Sequence, residues 1–182
     1  KLAAAIAGGL AQRDVTELTG ADSLTGLPDA RSLLLHLDGE LSRCRREGSS
    51  LAVVACQVDG FRKLRDRLGS LKADDVLQKV EVGMRRRCRD CDYVARMGGS
   101  EFGLILGELS AGAVEGRLKA FSRAVGDAGF EVRGERQLSA SFGVALFPED
   151  GTEGRICSPR RIARCIGRST GTPQCRSMRV AP

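Results

Sequence analysis

Tyr93-Val94-Ala95-Arg96-Met97-Gly98-Gly99-Ser100-Glu101-Phe102-Gly103-Leu104-Ile105-Leu106 reads as two short strands, Tyr93 to Met97 and Phe102 to Leu106, folded back at Gly98-Gly99-Ser100-Glu101. Paired glycines suit a tight hairpin turn because they accept positive φ at little steric cost. Strands joined so closely run antiparallel, so the sheet is at least partly antiparallel.

Upstream of the hairpin, Leu51-Ala52-Val53-Val54-Ala55-Cys56 is a continuous apolar run, the mark of a strand buried on both faces, and it ends at Gln57-Val58-Asp59-Gly60. Phe61, Leu64 and Leu68 then predict a short helix stopped by Gly69, and Val76, Val80 and Met84 a longer one running into Arg85-Arg86-Arg87. Further upstream, Leu33, Leu34, Leu37 and Leu41 share one face of a helix that Glu47 to Ser50 closes; His36 lies on it without a catalytic role. Downstream, Val114, Leu118, Phe121 and Val125 mark another helix. Leu138 to Phe147 alternates, with Ala140, Phe142, Val144 and Leu146 on one face of a strand. The order of helices and strands predicts an α/β sandwich with helices packed on a partly antiparallel sheet.

The chain has 182 residues, 42% of them hydrophobic and 29% charged, enough for one folded domain with extensions and too apolar for a disordered chain. No apolar run approaches the ~18 residues that span a bilayer, so membrane insertion is not expected. Leu2 to Leu10 reads as the end of a linker helix, with a signal-peptide core as the alternative. The net charge of +6 is uneven: residues 155–182 hold seven Arg and no acidic residue, which leaves 22 basic and 23 acidic groups elsewhere. Such a tail suits a nucleic acid or an anionic membrane, unless it is an accident of reading frame. Seven Cys with no regular framework indicate a reducing compartment and a cytoplasmic location. Cys88 and Cys91 form one CxxC, but a zinc site needs about four ligands and the lone His36 does not complete it.

Asp59 at a strand end and Glu101 at the hairpin turn are the chemical candidates. Two carboxylates on neighbouring strand ends can hold Mg²⁺, which takes oxygen ligands and usually brings substrate phosphates, and a glycine turn beside them lets a phosphate approach backbone N–H groups. Two solvated loop acids fit the same pattern.

Five blocks carry a resemblance. Asp22-Ser23-Leu24-Thr25-Gly26-Leu27-Pro28 is similar to D-x-L-T-G-L-P. The stretch from Val58 to Asp66 resembles the D-x-D-x-F-K-x-x-N-D block, and Gly69 with Asp74 fits G-H-x-x-G-D. Arg96 to Phe102 resembles R-Y-G-G-D-E-F, and Ser139 to Ala145 the strand S-x-S-x-G-V-A. In this order they resemble the GGDEF family, the diguanylate cyclases, over roughly residues 20 to 152. The resemblance implies a nucleotidyl-cyclase-like (ferredoxin-like) sandwich with a mostly antiparallel central sheet flanked by helices. It implies an activity that condenses two GTP into cyclic di-GMP with Mg²⁺, each of two domains holding one GTP.

The chain departs from the pattern at the implied metal positions. The first acid of D-x-D is Gln57 and the third residue of the turn is Ser100, both neutral, which leaves Asp59 and Glu101 as residual metal ligands and catalytic carboxylates. The guanine-reading Asn is Arg65, while its partner acid persists as Asp74; the His is Ser70. Gly98 and Gly99 remain for nucleotide binding. The inhibitory R-x-x-D motif is kept as Arg89-Asp90-Cys91-Asp92, and Arg117 resembles a second arginine that contacts the dinucleotide. Arg can grip guanine or phosphate bidentately, and a carboxylate accepts guanine N–H donors.

After Gly154 the family continues with a helix carrying a triphosphate-binding Lys. Here Arg155 to Gly171 has no amphipathic period, and Pro159 opposes a helix. Codons exist for this stretch that, read from their third base, give S-H-L-L-A-A-A-D-R-A-L-Y-R-A-K-H-G-N, the expected helix, so a frameshift near residue 154 is inferred and a poorly packed tail expected. The expected organisation is a linker helix over 1–19, a GGDEF domain over 20–154 and a basic tail over 155–182. The expected function is a degenerate GGDEF domain that binds cyclic di-GMP or GTP as a regulatory module; a working cyclase and a non-binding relay domain are the alternatives. Mg²⁺ is expected only with residual activity. Expected partners are further domains of a larger signalling protein and a homodimer mate, with no nucleic acid.

Overall fold

The computed structural model describes residues 20–109, 111–133, 138–150 and 176–180. The expected N-terminal linker helix and most of the tail lie outside these residues. Helix α1 (Ala30–Glu47) opens at Asp29, whose side chain accepts from the Ser32 N–H, and closes at Gly48 with φ 66°. That glycine holds the left-handed conformation a helix end favours. Then come β1 (Leu51–Asp59), α2 (Phe61–Leu68), α3 (Ser70–Arg85), β2 (Tyr93–Gly98), β3 (Glu101–Gly107), α4 (Ala111–Arg133), β4 (Ser139–Phe147) and β5 (Arg176–Val180).

The sheet runs β2-β3-β1-β4-β5, and every neighbouring pair is antiparallel. β1 and β2 are joined through helices and separated by β3, the split β-α-β arrangement of ferredoxin-like folds. Two cores follow from the pleat. Ala52, Val54, Cys56 and Val58 point with Phe102, Leu104, Phe142 and Val144 into the core under α2, α3 and α4. Leu51, Val53 and Ala55 point the other way, to Leu33, Leu37 and Leu41 of α1. Each of those fully buried leucines contributes roughly 2 kcal/mol over an exposed one.

Two features differ from the sequence reading. β4 is buried on both faces: Ala145 and Phe147 join the α1-side core while Ala140, Phe142, Val144 and Leu146 face the other. The small and aromatic residues between the obvious apolar positions read as an exposed face only while the second helical layer is unknown. The sheet also extends past residue 154, because Arg176 to Val180 pair with Val144 to Ala140. A strand at a sheet edge needs backbone pairing and no amphipathic period, so composition did not announce it.

Candidate functional site

One end of the sheet gathers the residues singled out in sequence. Gln57 of β1 lies opposite Glu101 of β3 on one side and Ser141 of β4 on the other. The turn between β2 and β3 has Gly98 at φ 118° and Gly99 at φ 55°, the first of which a side chain would strain. The turn is fastened to β1 by the Val58 N–H donating to the Ser100 carbonyl, 3.0 Å. Gln57 Nε2 donates to Ser100 Oγ at 2.7 Å. Asp59 Oδ2 accepts from Ser141 Oγ at 2.6 Å. Glu101 is exposed. Arg65 is exposed on α2, and Asp74 is half-buried on α3, beyond the Gly69 corner.

The donor set does not fit a hard divalent cation. The amide and hydroxyl at positions 57 and 100 are hydrogen-bonded to each other, and Asp59 already receives a hydroxyl proton. Among the described residues, no three His, Cys, Asp or Glu side chains form a group able to hold a metal ion. A doubly charged ion needs anionic oxygens to offset its lost hydration, and this end of the sheet keeps only two.

Arg96 ties the turn to the start of the domain. Its Nη1 donates to Asp22 Oδ1 at 2.8 Å and its Nη2 to the Gly99 carbonyl at 2.7 Å, with the side chain only 9% exposed. Thr25 donates its N–H and its hydroxyl to the same Asp22 oxygen. Burial works to raise the Asp22 carboxyl, but the bonds from Arg96 and Thr25 outweigh it and leave the pKa below the ordinary carboxylate value. The sequence reading placed Asp22 and Arg96 in motifs without a contact between them. It missed Ser141 as the partner of Asp59. Only the β1–β4 register reveals that one.

A second cluster precedes β2. Residues 89 to 92 form a turn in which the Asp92 N–H donates to the Arg89 carbonyl, 3.0 Å. The Arg89 N–H donates to Asp92 Oδ2 at 2.8 Å. Arg117 of α4 reaches the same oxygen through Nη2, with the Asp92 side chain 2% exposed and Arg117 16% exposed. Arg117 also lies over the Phe121 ring, 5.3 Å from its centroid. Asp92 is therefore paired inside the fold, while the Arg89 side chain stays exposed. Cys88 beside it has its thiol pushed up to about 11, by burial first and then by the Asp92 charge. His36 stacks on Tyr93, with ring centroids 4.0 Å apart.

An antiparallel sheet between helical layers, with a glycine turn at the strand ends, defines a nucleotidyl-cyclase-like domain. The sequence matches the family described as "Diguanylate cyclase, GGDEF domain" over residues 19–157, and the chain belongs to that family. It is 33% identical over 127 residues to the diguanylate cyclase DgcP of Pseudomonas aeruginosa, covering 69% of this chain and 19% of DgcP. It is 36% identical over 134 residues to the diguanylate cyclase TpbB of the same species, covering 70% of this chain and 30% of TpbB. The solved GGDEF domain of TpbB superposes with a TM-score of 0.65 at 28% identity, covering 78% of this chain and 82% of that one. The GGDEF domain of DgcB from Caulobacter crescentus, solved in complex with c-di-GMP, shares the fold at a TM-score of 0.63 and 20% identity, over 81% of this chain and 87% of that one. The chain thus spans less than a third of the curated relatives DgcP and TpbB. Among the described residues, no helix is long and apolar enough to cross a membrane.

Proposed function

We propose that this chain is a degenerate GGDEF domain that binds cyclic di-GMP or GTP and regulates neighbouring domains without synthesising the dinucleotide. The Gln57–Ser100 hydrogen bond of 2.7 Å carries this reading. The two positions where the family pattern places metal-binding carboxylates are here neutral and satisfied by one another. Cyclic di-GMP is the ligand of the Arg89 turn: the exposed guanidinium offers a bidentate donor to guanine or phosphate, and the buried Asp92–Arg117 pair holds the turn that presents it. The DgcB domain in complex with c-di-GMP supports that ligand class for the fold. GTP would rest against Gly98 and Gly99, with Arg65 and Asp74 facing the base. Both ligands place the domain in the cytoplasm, as part of a larger signalling protein.

Incubation of the chain with GTP and Mg²⁺, followed by chromatography, is expected to yield no cyclic di-GMP. Accumulating product overturns the proposal and assigns catalysis to Asp59 and Glu101. Calorimetry with cyclic di-GMP is expected to show saturable binding that Arg89→Ala abolishes. If neither nucleotide binds, the domain is a relay without a ligand.

A further inference from the structure

Resting on that reading, we infer that the glycine-turn end of the sheet closes, and takes up the phosphates of a guanine nucleotide, without a divalent cation. Acidic residues at positions 57 and 100 would stand beside Asp59 and Glu101, because position 57 is directly opposite Glu101 across β1 and β3. Facing carboxylates repel, and a cation between them relieves the repulsion. Gln57 and Ser100 remove that need. The amide N–H of Gln57 donates to Ser100 Oγ across the strand ends, and the Val58 N–H donates to the Ser100 carbonyl, so the turn is fastened to β1 by two neutral bonds.

The same exchange reverses the polarity of the site. A carboxylate only accepts, so it meets a phosphate through a metal; a serine hydroxyl donates. Ser100 Oγ accepts from Gln57 and keeps its own proton for an anionic oxygen. The result is a chain of donors running from the Gln57 amide through the Ser100 hydroxyl to the ligand, each bond polarising the next. The positive φ of Gly98 and Gly99 keeps the approach free of side chains. Asp59 is turned to Ser141, which hydrogen-bonds one of its oxygens.

The test is calorimetry of the full chain with GTP in excess Mg²⁺ and in EDTA, with thermal melts under both conditions. GTP affinity is expected to agree within about threefold between the two, and the melting temperature of the ligand-free chain to be the same. Affinity lost by about tenfold or more in EDTA, or a melt raised by Mg²⁺, overturns the inference and leaves the regulatory reading standing. Absence of GTP binding in both conditions also overturns it; saturable cyclic di-GMP binding in that experiment preserves the wider reading, and its absence removes both. The double variant Gln57→Asp/Ser100→Asp is expected to melt lower in EDTA and to recover in Mg²⁺; a variant indifferent to Mg²⁺ counts against the inference. If that variant fails to fold, Ser100→Ala serves, with an expected loss of about tenfold in GTP affinity in EDTA. An unchanged affinity there overturns the donor role of Ser100.

Discussion

Arg96 shows what one residue holds. Its guanidinium links the Asp22 loop to the Gly99 carbonyl, so the entry of the chain and the glycine turn move together. Arg96→Met keeps the apolar stem and removes both bonds. Bonds to a charged group are worth roughly 1.5–3 kcal/mol each when buried, and the partly exposed Asp22 lowers that, so a loss of about 1–2 kcal/mol is expected in urea denaturation at neutral pH. The pH dependence has a defined sign. The folded-state pKa of Asp22 is depressed. Its contribution is therefore complete above the unfolded value, about 3.9, and fades as pH falls through the folded one. The gap between wild type and Arg96→Met should be constant from pH 7 to about 5 and narrow below about pH 4. A gap that widens on acidification would contradict the assignment.

At the scale of elements, the sheet is locked by rows of side chains across strands. Phe102, Cys56 and Phe142 lie side by side on β3, β1 and β4, all on the face that α3 and α4 cover. Phe142 is fully buried, and its truncation leaves a cavity between layers that cannot collapse onto a helix without moving it. Phe142→Ala is expected to cost about 4 kcal/mol and Phe142→Leu less than about half of that, read as shifts in the denaturation midpoint with the slope unchanged. The elements themselves were legible in sequence. The leucine period of α1, the apolar run of β1 and the glycine pair of the hairpin each signal their structure within a few residues. What lay beyond reach was contact between distant elements. Asp92 and Arg117 were both marked as ligand contacts, yet 25 residues apart they pair with each other. Ser141 and Asp59 meet across 82 residues, through a register that no local pattern encodes.

For the whole molecule, the two edges of the sheet do different work. β2 forms one edge and adjoins the Arg89 turn; β5 forms the other, far from that turn in strand order. β5 is the only described element beyond residue 150, and it pairs with Ala140 to Val144 of β4. Removing residues 176–182 strips these partners from β4 and leaves its outer N–H and C=O groups open. An unpaired apolar strand is a template for another chain, so the shortened protein should associate as concentration rises, visible in light scattering. It should also unfold at lower denaturant than the full chain. Ser141, which donates to Asp59, lies within the stretch that loses its neighbour, opposite Arg179. Loss of β5 should therefore weaken GTP binding at the glycine turn while leaving cyclic di-GMP binding at Arg89 on the opposite side intact. Equal loss of both ligands would mean that the fold collapses as one unit. Loss of neither, with no association, would mean that the β4–β5 pairing contributes little to the sheet.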